Sequence, residues 1–386
     1  MSKEKDRIYL LAQKVKDNTI SKTELDEFNA WYNSFDDEPA NLNEEDKELK
    51  ERIFISILQR KKLDNKPFHA LVAKLPLIGV AASFLIVFSW IFLNYSPKAP
   101  SKANKVVAIK NDATPGIDKA LLTLSNGKKL DMEKIKSGLI AVEDNFEIFK
   151  SKNNTITYKR LSKADNSSLY NLSYNQITIP KGGKYQVLLP DGSHIWLNSS
   201  SRLRIPLNFG ITERRVEMLG EGYYEVAKDK RKVFRVVTPT QVVEVLGTHF
   251  NVKAYEDEPL CKVTLLEGSV RIISGDKSSK FLKPGQQAEI STKSHHINVK
   301  NVDTAPAVAW KSGYFEFDHT DFKSLMAQLS RWYNIDIVYQ GAISNDYYEG
   351  RISRNVNLSE VLKILENEGV GFKIEGKKLI VFTNNN

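Results

Sequence analysis

From Leu75 to Pro97 the chain carries no charged residue, and the nineteen positions Leu75 to Leu93 (LPLIGVAASFLIVFSWIFL) are apolar except for Pro76, Gly79, Ser83 and Ser89. At about 1.5 Å per residue such a helix is roughly 28 Å long, close to the ~30 Å hydrocarbon core of a bilayer. A buried core helix would keep a polar stripe and run shorter. Pro76 falls in the first turn, where a missing N–H is harmless, and Trp90 and Tyr95 fall near the far end, where amphipathic rings favour the interface. One transmembrane helix is therefore expected over residues 75–95. With 74 residues ahead of it and no A-x-A site behind it, it is expected to stay in the chain rather than be a cleaved leader. Arg60, Lys61, Lys62, Lys66 and Lys74 precede it and Lys98, Lys102, Lys105 and Lys110 follow it, so flanking charge leaves the orientation open.

The two flanks differ in chemistry. Residues 1–59 hold nine Lys/Arg and fourteen Asp/Glu, a net of minus five in a chain whose total is plus nine. Ile8, Leu11 and Val15 recur at helical spacing, Ser21-Lys22-Thr23-Glu24 reads as a capping box, and the helix it opens carries Leu25, Phe28, Tyr32 and Phe35 on one stripe beside Trp31. A third helix from about Asn43 to Lys62 carries Leu49, Ile53 and Ile57. About 60 residues in three short helices bury little surface alone, so residues 1–74 read as a short N-terminal α-helical bundle, self-sufficient or completed by a partner. Its acidity disfavours nucleic acid and suits a basic protein.

After a Pro-containing linker at Ser96–Lys102, the pattern turns to short strands: Tyr185 to Leu189, Ser193 to Leu197, Val233 to Val237, Val242 to Leu246, Lys262 to Leu266 and Ser269 to Ile273. Their spacing and Gly-containing turns predict a sandwich, jelly-roll or solenoid-like β domain. Pro115, Lys119, Leu122, Leu124, Gly127 and Leu130 echo Pro180, Lys184, Val187, Leu189, Gly192 and Ile195 at a constant offset, which predicts a duplicated hairpin. Residues 310–383 then read β-α-β-β-α-β-β, a small α+β domain whose first helix is expected to be capped within Asp318–Thr320 and whose sheet edges are open to strand addition. The predicted boundaries are 1–74, 75–95, 96–176 (linker and first β unit), 177–292 (β domain) and 310–383.

No pattern for catalysis or a cofactor stands out. Cys261 is the single cysteine, which excludes a disulfide within the chain and a cysteine cluster. His69, His194, His249, His295, His296 and His319 show no metal-ligand spacing, Lys181-Gly182-Gly183-Lys184 precedes a strand rather than a helix, and Ser199-Ser200-Ser201 lacks a nucleophile elbow. Glu221 and Glu225 form no evident acid/base pair. Gly247-Thr248 has two readings. One is a turn glycine followed by a surface threonine; the other is a bond that the Thr248 hydroxyl attacks, shifting the peptide to an ester where the backbone is strained.

Several motifs in order resemble the FecR family of transmembrane signal transducers, which act as anti-sigma factors. They are Leu189-Pro190-Asp191-Gly192, Ile195-Trp196-Leu197-Asn198, Leu219-Gly220-Glu221-Gly222, Val245-Leu246-Gly247-Thr248 with Phe250-Asn251-Val252, Leu266-Glu267-Gly268-Ser269-Val270 and Leu282-Lys283-Pro284-Gly285-Gln286. The last domain is similar to the C-terminal domain of the family's longer variant, itself related to the short signalling domain of secretins and TonB-dependent receptors. The resemblance implies a single-pass inner-membrane protein with a cytoplasmic N-terminus and periplasmic C-terminal domains. It implies an extracytoplasmic-function sigma factor bound by residues 1–62 and an outer-membrane TonB-dependent receptor sensed outside; the helical face expected to hold the sigma factor is that of Leu25, Phe28, Trp31 and Tyr32. Some members of the family are processed at the Gly-Thr bond, which here is Gly247–Thr248; because a lone helix transmits little by sliding, regulated proteolysis of the chain is the expected switch, and no cofactor and no enzymatic activity are expected. The rival expectation is a membrane-anchored periplasmic module that binds glycan or protein.

Overall fold

The computed structural model describes Leu11, Lys14, Ser21, Thr23 and Glu24 together with residues 112–143, 146–161, 173–211, 213–341, 346–366 and 370–383. The chain divides into two compact units, Met1–Val106 and Val107–Asn386. In the first, Leu11 is fully buried, as its place on the first helical stripe predicts. The capping box is formed. The Ser21 N–H donates to Glu24 Oε2 at 3.0 Å and the Glu24 N–H to Ser21 Oγ at 3.3 Å, which satisfies two N–H groups that a helix start leaves orphaned. The expected transmembrane helix at 75–95 lies outside the described residues. Among the described residues no helix is long and apolar enough to cross a membrane.

The second unit begins as a β sandwich. One sheet runs, in hydrogen-bonded order, Lys129–Asp131, Leu121–Thr123, Tyr174–Ile179, Ser201–Pro206, the first half of Arg214–Glu225, Phe234–Val237, Gln241–Val245, Val270–Ser274 and Ser279–Leu282. The other runs Gly138–Glu143, Phe146–Lys150, Thr155–Arg160, Gly183–Leu188, His194–Leu197, the second half of Arg214–Glu225, His249–Ala254, Leu260–Glu267, Gln286–Ser291 and Ile297–Asn301. Buried and half-exposed residues alternate in Tyr174–Ile179, Gly183–Leu188 and Gln241–Val245, the mark of strands with one face on a core. That core is continuous from Leu122 through Phe146, Val187, Phe234 and Val263 to Ile297.

The echo is real at the level of single hydrogen bonds. In Leu124–Lys128 the first N–H donates to the last carbonyl at 2.9 Å and the Gly127 N–H donates back to Leu124, with Gly127 at φ 83°. Leu189–Ser193 repeats this frame with Gly192 at φ 84°, and so do Ser151–Thr155 with Asn154 at 54° and Ser274–Ser278 with Lys277 at 67°. Each is a three-residue hairpin loop closed by a left-handed residue.

The chain ends in a small α+β domain with its own core of Phe315, Phe322, Leu325, Leu329, Trp332, Leu358, Leu362 and Leu379. Its order is the predicted one, with helices at Phe322–Tyr333 and Leu358–Glu366. Its strands form two sheets, Tyr314–Asp321 with Tyr347–Ser353, and Asp336–Gln340, Lys378–Thr383 and Val370–Glu375. The cap of the first helix is Asp321, whose carboxylate accepts from the Ser324 N–H at 3.0 Å, not a residue of Asp318–Thr320. A bulge between Phe317 and Thr320 lets the strand run on to Asp321.

Candidate functional site

Strand Arg214–Glu225 leaves one sheet for the other at Gly220. With φ at 93° and a virtual Cβ 2.5 Å from Ser201 Oγ, only glycine fits. The Ser201 hydroxyl pins the crossing, donating to the Glu221 carbonyl at 3.1 Å and accepting from the Glu221 N–H at 2.9 Å. Ser199, also buried, donates to the Gly183 carbonyl at 2.6 Å. The serine run is thus a turn that holds two strands.

Past the crossing, Glu221 is only 8% exposed. A carboxylate so buried needs donors on both oxygens. Asn198 Nδ2 donates to Oε2 at 2.7 Å and Asn251 Nδ2 to Oε1 at 3.1 Å. Each asparagine then accepts a donor from the C-terminal side of the molecule, Arg354 Nη2 at 3.0 Å on Asn198 Oδ1 and the Trp310 indole N–H at 3.3 Å on Asn251 Oδ1. Arg354 Nη1 closes the ring on the Trp310 carbonyl at 3.2 Å. Its guanidinium lies 3.8 Å over the Trp332 ring, whose N–H donates to the Arg354 carbonyl at 2.8 Å. Arg354 is 3% exposed, and burial pulls its pKa down to about 10 against the opposing pull of Glu221, so it remains a cation at neutral pH.

Further pairs ring this centre. Arg331 donates to Glu258 at 2.6 Å and Asp257 at 2.7 Å while its guanidinium covers Tyr255 at 3.7 Å. Lys311 reaches Glu225 at 2.9 Å and lies over Trp196 and Tyr223. Lys181 meets Asp336 at 2.7 Å. Two cavities beside the joint have volumes of about 40 and 20 Å³, room for water and not for an organic ligand. The joint is a contact between two folded parts of one chain.

The motif residues Asn198, Glu221 and Asn251 therefore converge on one place, and Glu221 is desolvated. Arg354 and Trp310 were not foreseen as their partners. Asn251 and Glu221 occupy outward strand positions, where polar residues ordinarily meet water, so alternation alone carries no sign that a second domain covers them.

Gly247 lies in the bend between Gln241–Val245 and His249–Ala254 at φ 151°, with Lys228 where a side chain would stand. Thr248 is buried rather than at the surface, and its hydroxyl donates to the Ser269 carbonyl at 3.1 Å. Cys261 is buried and accepts from the Gln241 side chain, and burial pushes its thiol up to about 12. No group of three His, Cys, Asp or Glu among the described residues is placed to hold a metal ion. Leu25, Phe28, Trp31 and Tyr32 lie outside the described residues.

Comparison with known proteins adds to this geometry. The family model described as FecR protein matches residues 175–271, and the model described as FecR, C-terminal matches residues 314–381. Two crystal structures, at 1.65 and 2.50 Å resolution, of a Parabacteroides distasonis ATCC 8503 protein assigned as an anti-sigma factor are similar. They show 32% identity and TM-scores of 0.51 and 0.52, covering 54% and 55% of this chain and 99% and 100% of theirs. No curated protein matches the chain.

Proposed function

Since the chain belongs to the FecR family of anti-sigma factors, we propose that it is a single-pass inner-membrane protein whose residues 1–74 hold an extracytoplasmic-function sigma factor in the cytoplasm. The β sandwich and C-terminal domain lie in the periplasm and receive a signal from an outer-membrane TonB-dependent receptor. The observation that carries this reading is the 32% identity with the Parabacteroides distasonis structure over almost its whole length. The apolar stretch Leu75–Leu93 supports the placing of two unlike halves in two compartments. On the cytoplasmic side, Leu25, Phe28, Trp31 and Tyr32 form the face offered to the apolar helices of the sigma factor, and the acidic surroundings favour its basic surface.

Gly247–Thr248 is the bond at which we place processing of the chain. Gly247 sits in a backbone region that other residues rarely adopt; attack by the Thr248 hydroxyl on the Gly247 carbonyl carbon forms an ester as the Gly247–Thr248 C–N bond breaks, the hydroxyl proton passes to the freed Thr248 amine, and water then hydrolyses the ester to give two pieces. The hydroxyl must first leave the Ser269 carbonyl. Thr248→Val is expected to give only full-length chain on a denaturing gel where the wild type gives two pieces; two pieces from the variant would refute the assignment.

The test of the whole reading is capture of the full chain from solubilised membranes. The sigma factor encoded beside it is expected to co-purify with the full chain and to be lost when residues 1–60 are deleted. Equal recovery, or none with either form, would contradict the reading and favour a periplasmic binding module.

A further inference from the structure

Helix Leu358–Glu366 in the C-terminal domain is capped from far away in sequence. The Ser359 N–H donates to Asp112 Oδ1 at 3.0 Å and Ser359 Oγ to Asp112 Oδ2 at 2.7 Å, across 247 positions of chain. The Leu358 N–H donates to the Ala113 carbonyl at 3.0 Å. Two residues at the start of the described part of the second unit thus satisfy N–H groups that the helix start cannot pair within itself, and the Asp112 carboxylate meets the positive end of the helix dipole.

The residues that follow continue along the joint. Ala113 packs on the C-terminal core. At Gly116 a Cβ would lie 2.7 Å from the Trp332 ring and 2.9 Å from the Gly182 carbonyl, so the backbone passes between the two domains with no room for a side chain. The Ile117 N–H then donates to the Gly182 carbonyl, and Ile117–Asp118 pairs in parallel with Gly183–Lys184 on the sandwich. Gly182 in turn donates to the Arg331 carbonyl at 2.6 Å. Trp332, on which this strap rests, is the same ring that stacks on Arg354.

We propose that residues 112–118 are a latch: the strap, the start of helix Leu358–Glu366 and the Arg354–Glu221 joint open together or not at all. The alternative arrangement, a strap belonging to the sandwich alone, would place its contacts on Gly182–Lys184 and none on the helix. A partner that pulls the C-terminal domain off the sandwich removes Trp332 and Ser359 from the strap in the same motion, which frees residues 112–116 from that domain. The use of that release as a signal to a sigma factor rests on the reading given above; the coupling itself does not.

Hydrogen exchange read by mass spectrometry on the detergent-solubilised full chain tests the coupling without reference to any sigma factor. Asp112→Ala is expected to speed exchange on the order of tenfold both at Leu358–Glu360 and at Ile117–Lys119. Asp112→Asn, which keeps an acceptor oxygen, is expected to stay within about twofold of the wild type at both places. Acceleration confined to one of the two segments, or exchange in Asp112→Ala equal to the wild type, would overturn the latch. Should Asp112→Ala fail to fold, Ser359→Ala carries the same two-segment criterion.

Discussion

Arg354 ties the C-terminal domain to the sandwich. Its guanidinium is buried, stacked on Trp332 and joined through Asn198 to the Glu221 carboxylate. Removing one member of a buried charged network leaves the other without compensation, so Arg354→Ala should cost about 3–5 kcal/mol in thermal or denaturant unfolding of the second unit. Arg354→Lys should recover little of it, because an ammonium cannot both stack and span Asn198 and the Trp310 carbonyl. Glu24 makes a second case. The Lys14 ammonium first, then the Ser21 N–H and hydroxyl, hold its carboxyl down to about 2 from 4.5. A depressed carboxyl stabilises the helix start above the unfolded value and loses that stabilisation as pH falls toward the folded one. The Ser21 amide signal should therefore keep its capped position above about pH 4.5 and shift as pH drops to about 2; in Glu24→Gln the shift should vanish. This box was legible from Ser21 and Glu24 alone, since its contacts are three residues apart. Arg354 was not legible, because its partner Asn198 lies 156 positions away.

Among elements, the hairpin loops show what a local pattern reveals. Asn126-Gly127 and Asp191-Gly192 announce their turns because glycine marks the left-handed position. Ser151–Thr155 and Ser274–Ser278 adopt the same frame with Asn154 and Lys277 there, and no glycine advertises them. The strain is correspondingly unequal. Gly192→Ala should cost about 1–2 kcal/mol, the penalty of a side chain in the left-handed region, whereas Lys277→Gly should be neutral to slightly stabilising by less than about 1 kcal/mol. Chemical denaturation of the two variants checks both signs. The six sandwich strands named from the sequence were placed within a residue or two by period-2 alternation, whereas Arg214–Glu225 and His249–Ala254, which carry Glu221 and Asn251, were not among them. The helix cap was misplaced by one to three residues because the bulge at Phe317–Thr320 leaves no mark in composition.

For the whole molecule, the sequence pattern separated a helical acidic end, an apolar stretch, a β-rich part and a small α+β domain, and for the second unit the structure agrees in order and type. The docking of its two domains was not foreseen, since it depends on long-range pairs such as Arg331 with Glu258 and Lys311 with Glu225. If the acidic end holds a sigma factor as proposed, Trp31→Ala and Phe28→Ala should each weaken its capture on the order of 30-fold, the effect of losing an interface anchor worth about 2 kcal/mol. The claim beneath all of this is that the apolar stretch places the two ends of the chain in different compartments. Fusing a compartment-sensitive reporter to each terminus of the full chain measures this directly. The account predicts an N-terminal fusion active only in the cytoplasm and a C-terminal fusion active only in the periplasm; both fusions active in one compartment would contradict it.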